Sequence, residues 1–363
     1  MKQGIGMTVL LLLLALTQKA RAEKLMIISD LHLTQGGEEP FSQVLPALIL
    51  AAQEADAVLL LGDNTNNGRP EEHQRMTAYL AGLAADTGKP IYVLPGNHDL
   101  SGRFALKAFA DAYADFGYRD AVFRHAGSLS YAAKTPGGTW LVMLDLNRYD
   151  EKEQADAYGW VSDSLLAWLR ETLDKTDPAQ TVVCAHYPIQ PVLTETVRDG
   201  EKLFSLLARE GTRVYLCGHR HTNDTMEAGG VRQITVGMPQ GYPCLAGWLE
   251  NRENRFIYTA EPLFDSEDAW YTRKREETLR LGRQMAEGSL KGTRLEGDEG
   301  AVSWFAEAFM AYSDGTLPEK RDALLRDENA EKWRQTPVRY VTRSWIFSLL
   351  ETGGESVRRI EIP

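Results

Sequence analysis

Leu25-Met26-Ile27-Ile28-Ser29-Asp30-Leu31-His32 is the stretch on which the reading of this chain turns. Four apolar residues in succession read as a strand buried on both faces. The run then stops in a hydroxyl, a carboxylate and an imidazole. The same grammar recurs four times downstream. Ala57-Val58-Leu59-Leu60-Leu61 leads into Gly62-Asp63-Asn64, and Ile91-Tyr92-Val93-Leu94 into Pro95-Gly96-Asn97-His98-Asp99. Thr181-Val182-Val183-Cys184 leads into Ala185-His186-Tyr187, and Val214-Tyr215-Leu216-Cys217 into Gly218-His219-Arg220-His221. In open α/β sheets, chemistry gathers where loops leave the carboxyl ends of strands. Five such ends carrying Asp, Asn or His are therefore expected to meet in one site.

Helical stretches lie between these runs, at 42–54 and at 162–173, the second opening on Ser162-Asp163 as N-terminal capping chemistry. Hairpin-like pairs are expected at 128–134 with 139–146, and at 245–250 with 255–260. Parallel units mixed with hairpins give an α/β fold of two packed sheets with helices outside. After residue 262 the pattern changes: 266–287, 300–313 and 319–334 read as amphipathic helices, with Val302, Phe305, Phe309 and Tyr312 as packing residues. The expected division is 1–22 as a leader, 23–262 as the sheet-bearing domain and 263–363 as a helical C-terminal region.

The leader reading rests on Lys2, the apolar run from Val9 to Leu16, and Ala20-Arg21-Ala22, a small-x-small pattern of the kind signal peptidase cuts. That run is under half of the roughly 20 residues a membrane span needs, so export without a stable membrane anchor is expected. Losing residues 1–22 removes Lys2, Lys19 and Arg21 and no acid, which takes the formal net charge from −11 to −14. Such an acidic body repels polyanions, so a nucleic acid polymer is not an expected partner. Three cysteines are too few for a disulfide scaffold, and Cys184 and Cys217 read as buried thiols.

Divalent cations bind carboxylate and amide oxygens and neutral imidazole. Asp30-x-His32 and His219-x-His221 each place two such donors on one side of an extended segment, by side-chain alternation. Asp63, after a glycine that permits close backbone approach, suits a bridging position. Asn97 adds an amide oxygen and His186 another imidazole. Five of the seven histidines fall inside these clusters; His73 and His125 lie outside and read as surface residues. Arg220, between two imidazoles, is expected to point away from them.

Taken in order, Asp-x-His, Gly-Asp, Gly-Asn-His-Asp, an isolated His and Gly-His-x-His resemble the motif set of the calcineurin-like metallophosphoesterases, over roughly residues 24–262. The resemblance implies a four-layer α/β/β/α sandwich of two mixed sheets. It also implies two divalent or mixed-valence metal ions, Mn, Fe or Zn. Asp30, His32 and His221 would hold one, Asn97, His186 and His219 the other, and Asp63 would bridge them. His98 would face the phosphate and protonate the leaving group, with Asp99 behind it orienting its ring. Paired metals acidify a water and stabilise charge on phosphate oxygens.

Asn66, three positions after Asp63, stands where the purple acid phosphatases of this superfamily carry a tyrosine. Gly96-Asn97-His98-Asp99 also lacks the longer signature of secreted nucleotidases. The compact motif set is similar to the bacterial phosphodiesterase branch associated with cyclic nucleotides. The expected function is an exported hydrolase of phosphodiesters or phosphomonoesters, acting on a small phosphorylated or nucleotide-like substrate. Two alternatives stay open: a pyrophosphate-bond hydrolase on lipid-linked or nucleotide-sugar intermediates, and a non-catalytic binding scaffold. Candidate substrate contacts are Asn64, Arg103, Arg148, Tyr187 and Tyr242. Asn64 serves turn formation equally well, and Tyr242 is placed to stack on a ring.

Overall fold

A computed structural model of the chain describes residues 22–36, 39–100, 106–149, 155–189, 197–252, 255–337, 342–352 and 358–363. The leader expected at 1–22 lies, apart from Ala22, outside the described residues, as does Arg103.

Among the described residues the first strands are β1 (Glu23–Ile28), β2 (Ala57–Leu61) and β3 (Ile91–Leu94). The chain continues with β4 (Phe123–Arg124), β5 (Tyr131–Lys134), β6 (Trp140–Leu144), β7 (Asn147–Tyr149) and β8 (Ala155–Trp160). Then follow β9 (Thr181–Ala185), β10 (Val197–Arg198), β11 (Val214–Cys217), β12 (Asp224–Ala228) and β13 (Val231–Thr235). The last three are β14 (Leu245–Arg252), β15 (Arg255–Pro262) and β16 (Arg359–Ile362). The first sheet has the order β16-β15-β14-β1-β2-β3 and the second β12-β13-β11-β9-β6-β5-β4. Within them β1, β2 and β3 run parallel, as do β6, β9, β11 and β13, and the flanking strands are antiparallel. Both sheets are mixed, as expected. A third, three-stranded sheet, β10-β8-β7, was not foreseen. Its strands are short and lack an apolar alternation that would reveal them.

Among the described residues five α-helices flank the sheets: α1 (Glu39–Ala52), α2 (Pro70–Thr87), α3 (Leu106–Ala112), α4 (Asp163–Leu173) and α5 (Gly200–Arg209). The layering follows from the two-residue side-chain period of the second sheet. Leu141, Met143, Val182, Cys184, Val214 and Leu216 join one core with β1–β3 and the apolar faces of α1 and α2. Their alternates, Val142, Leu144, Val183, Ala185, Tyr215 and Cys217, pack instead with Leu165 and Leu169 of α4 and Leu203 and Leu207 of α5. The result is helix, sheet, sheet, helix. Cys184, Cys217 and Cys244 are buried free thiols. Burial pushes the Cys217 thiol up to about 12, so it stays protonated and inert.

The C-terminal region is helical: α6 (Ala269–Leu290), α7 (Glu299–Ser313), α8 (Leu317–Arg326), α9 (Glu328–Gln335) and α10 (Thr342–Thr352). The single helix expected over 319–334 is two. Asp327 adopts extended backbone, and its carboxylate accepts the Asn329 N–H at 2.7 Å, which starts α9 afresh. β16 was also unforeseen; it returns the chain to the first sheet beside β15, from Phe256↔Ile362 to Thr259↔Arg359. Trp333 anchors the helical core: it is fully buried, its indole N–H donates to the Ala301 carbonyl at 2.8 Å, and its ring stacks 5.2 Å from Phe305. Trp333→Ala is expected to cost about 3–5 kcal/mol in chemical unfolding, with Trp333→Phe costing clearly less because it keeps most of the volume.

Candidate metal centre

Each expected ligand sits one to four residues beyond a strand end. Among the described residues, seven non-glycine residues have positive φ, and five of these are Asp30 (+58°), His32 (+42°), Asp63 (+50°), His219 (+71°) and His221 (+55°). Left-handed backbone costs an L-residue roughly 1–2 kcal/mol, less for short polar side chains. Its concentration here marks a site whose geometry outranks local comfort. The alternation expected to align Asp30 with His32, and His219 with His221, is not what does so. Both pairs lie past their strands, on left-handed turns.

Hydrogen bonds between loops hold this backbone. The N–H groups of Asp30, His32 and Leu33 donate to the carbonyls of Gly62, Asp63 and Asn64 at 3.0, 2.8 and 3.0 Å. Gly218 N–H donates to the His186 carbonyl at 2.9 Å, and His219 N–H to the Asp30 carboxylate at 3.0 Å. Gly62, at φ +90°, has no room for a side chain: a Cβ would meet Gly96 N at 2.7 Å and His186 Nδ1 at 2.8 Å.

The donors converge in three overlapping groups: Asp30, His32 and His221; Asp63, His186 and His219; and His32, Asp63 and His98. Within each group the donor atoms lie within 4.8 Å of one another. Asp63 stands between the first two. Its Oδ2 is 3.6 Å from His32 Nε2 and 3.2 Å from His186 Nε2, while Oδ1 accepts the His98 N–H at 2.8 Å. His32 Nε2 faces His221 Nε2 at 3.0 Å, and His219 Nδ1 faces His186 Nε2 at 3.2 Å. Asn97 Oδ1 is buried without a hydrogen-bond partner, at a cost of about 1–3 kcal/mol unless something electropositive takes it. Two carboxylates, four imidazoles and an orphaned amide oxygen fit a pair of divalent cations.

The electrostatics agree. Burial alone would raise the Asp30 carboxyl, but the hydrogen bond from His221 and the charges of His186, His221 and His32 hold it well below the usual carboxylate range. Burial likewise opposes, and His186 overcomes, to lower Asp63. Burial disfavours the charged form of His186, yet Asp63 and Asp30 push it up to about 9; burial and the nearby His186 push His219 down to about 4. Burial likewise disfavours the charged form of His221, and its hydrogen bond to Asp30 raises it. Protonated imidazoles thus balance the buried carboxylates, and a bound dication would displace those protons.

The remaining candidates separate. Asp99 does not stand behind the His98 ring. Its carboxylate accepts from Asn64 N–H and side-chain amide, Thr65 N–H and hydroxyl, and Gly96 N–H, at 2.8–3.2 Å, bracing the β2 loop against the β3 loop. The His98 ring instead meets the Asn66 carbonyl through Nδ1 at 2.7 Å. Asn64, buried in that brace, and Tyr187, fully buried beneath the His186 and His219 rings with its hydroxyl on Asn147 Oδ1 at 2.8 Å, are braces rather than substrate contacts. Tyr242 donates to Asp314 Oδ2 at 3.1 Å and lies edge-on to Tyr271, tying its loop to the helical region. Arg148 is exposed on β7. Arg220 is half-buried with Nη1 buried, close enough to Asp224 to pull down a carboxyl that burial raises.

His73 is 1% exposed, not a surface residue. His125 is half-buried, with Nδ1 2.9 Å from the Ser128 hydroxyl. Sequence reasoning also passed over Gln240, whose amide donates to the carbonyls of Asp30 (3.1 Å) and Leu31 (2.6 Å), and Glu72, which gathers the loop after β2. The only signal for either was proximity to a motif loop.

A dinuclear donor set at the strand ends of a four-layer sandwich defines a metal-dependent phosphoric ester hydrolase. The family model for calcineurin-like phosphoesterases matches residues 23–223, and the chain belongs to that family. It is 25% identical over 220 residues to a probable cyclic nucleotide phosphodiesterase of Rhodococcus erythropolis, covering 57% of this chain and 67% of that protein. It is 30% identical over 190 residues to the glycerophosphodiester phosphodiesterase GpdQ of Enterobacter lignolyticus, covering 51% of this chain and 61% of that protein. The chain thus spans about two thirds of these relatives' length. A dimetal phosphatase from Danio rerio shares the fold, with a TM-score of 0.52 at 15% identity over 67% of this chain and 97% of the other.

Because the His186 pKa of about 9 lies above the unfolded value of 6.5, its contribution to the stability of the metal-free protein is complete below pH 6.5 and is lost as pH rises through 9. Metal affinity runs the opposite way. Mn²⁺ binding followed by calorimetry between pH 6.5 and 9 is expected to tighten with pH, by up to about tenfold per unit, with proton release. Asp63→Ala is expected to lose both metals after dialysis.

Proposed function

We propose that this chain is an exported, dinuclear-metal phosphodiesterase acting on small, nucleotide-like phosphodiesters. The observation that carries the reading is the position of Asp63 Oδ2, within 3.6 Å of imidazoles from both donor groups. The relatives' printed activities, on a cyclic nucleotide and on a glycerophosphodiester, point to diesters of this size.

Cations held there would supply Lewis acidity toward phosphate oxygens and lower the pKa of water. The rest falls to the chain. Hydrolysis of a diester consumes one water and yields a monoester and an alcohol, so the leaving oxygen needs a proton as its P–O bond breaks. His98 is the group assigned to deliver it. The Asn66 carbonyl only accepts, so His98 Nδ1 carries a hydrogen and Nε2 is the nitrogen that exchanges a proton with the leaving oxygen. Asp63 Oδ1 holds the His98 backbone N–H, and so couples the position of the acid to the bridging carboxylate.

Export is supported by the leader reading, and cleavage after Ala22 would leave β1, Glu23–Ile28, whole. Among the described residues no helix is long and apolar enough to cross a membrane.

With Mn²⁺, kcat/KM on bis-p-nitrophenyl phosphate is expected to exceed that on p-nitrophenyl phosphate by about tenfold or more; the reverse order removes the diesterase reading. His98→Ala is expected to slow turnover about 10²–10⁴-fold with unchanged metal content. Cell fractionation with N-terminal sequencing is expected to find the protein outside the cytoplasm, starting at Glu23. A cytoplasmic chain that retains residues 1–22 overturns export.

A further inference from the structure

We propose that His73, on the first turn of α2, is a positioning residue for His98, and that it acts by holding the backbone carbonyl of the next residue, Asp99. The inference rests on His98 being the group that protonates the leaving oxygen.

His73 Nε2 lies 2.9 Å from the Asp99 carbonyl oxygen and Nδ1 lies 2.9 Å from the Tyr113 hydroxyl. A carbonyl only accepts, so Nε2 carries the hydrogen and Nδ1 accepts from Tyr113. Tyr113 is fully buried and stacked 4.3 Å from Phe109, and both rings meet the imidazole edge-on at 5.6 Å. The tautomer and the ring plane of His73 are therefore both set. Burial lowers its pKa against the opposing charges of Asp99 and Glu72, so the imidazole stays neutral.

The neighbouring residue completes the arrangement. Glu72 accepts from Asn67 N–H at 3.0 Å and from the Asn67 side-chain amide at 2.8 Å. Asn67 follows Asn66, whose carbonyl receives the His98 ring at 2.7 Å. Two consecutive residues of one helical turn thus define both ends of His98: Glu72 sets the acceptor that orients the ring, and His73 sets the chain that carries it. Gly68 keeps the two loops in contact, because a Cβ there would meet the Asp99 carbonyl oxygen at 2.6 Å. Proton transfer tolerates little misplacement, and an error of about 1 Å is enough to cost 10²-fold.

The test compares methyl 4-nitrophenyl phosphate, whose leaving group needs little protonation, with methyl phenyl phosphate, whose leaving group needs more. His98→Ala calibrates it. If that variant slows both substrates equally, His98 is not the acid, and this inference falls with that reading. If it is selective for methyl phenyl phosphate, the His73 variants decide. His73→Leu is expected to lose about 10–100-fold in kcat on methyl phenyl phosphate and less than about threefold on methyl 4-nitrophenyl phosphate, with KM and Mn²⁺ content unchanged. His73→Gln, whose amide N–H replaces Nε2–H, is expected to recover to within about fivefold of wild type. Equal losses on both substrates, or His73→Gln no better than His73→Leu, overturn the proposal. Should His73→Leu fail to fold, Tyr113→Phe removes only the donor to Nδ1. It is expected to lose about three- to tenfold on methyl phenyl phosphate alone; an equal loss on both substrates overturns the proposal as well.

Discussion

Two carboxylates buried against imidazoles impose the main constraint on this molecule. Asp30 and Asp63 are 0% and 2% exposed, in a setting where desolvation alone would return each to its protonated form. They stay ionised because His32, His186 and His221 stand within 4 Å of their oxygens. That arrangement gathers negative charge and lone pairs in a space that favours cations. It also explains the left-handed backbone at Asp30, His32, Asp63, His219 and His221, since only a backbone distorted past the strand ends presents these donors to one another.

The sandwich meets this constraint across two sheets. Asp30, Asp63 and Asn97 follow three parallel strands of the first sheet; His186, His219 and His221 follow two parallel strands of the second. Neither sheet holds a complete set. Face-to-face packing of the sheets, driven by the shared core of β1–β3 with the inner faces of β6, β9 and β11, is therefore a precondition of the site. The helical region joins the same edge, with Thr222 donating to the Tyr312 hydroxyl at 3.2 Å and Tyr242 donating to Asp314. The loops beyond His221 are in this way braced by residues 72 and 90 positions later.

Polar residues beside the motifs divide into those that face the donors and those that hold the loops. Asn64, Tyr187 and Asp99 belong to the second kind: the Asn64 amide N–H donates to the Leu94 carbonyl and to Asp99, Asp99 accepts from the Thr65 N–H, and the Tyr187 hydroxyl donates to Asn147. A sequence presents both kinds alike. A tyrosine after a ligand histidine has the same letters whether it reaches into solvent or lies under the imidazoles, and only its burial distinguishes the roles.

From the sequence by itself came the class of fold, the donor residues and the order of the strand-end loops. Those depend on local patterns: apolar runs of four or five residues, glycines before ligands, and Asp, Asn and His at run ends. The tertiary structure decided what depends on partners distant in the chain. It set the left-handed turns that replace strand alternation at Asp30 and His219, the seat of Asp63 between two imidazole groups, the return of β16 to the first sheet and the burial of His73. Each of these is fixed by a hydrogen bond or packing contact to an element tens to hundreds of residues away. The energy that settles such contacts is the desolvation of the groups involved, and that quantity is undefined until the chain has closed around them.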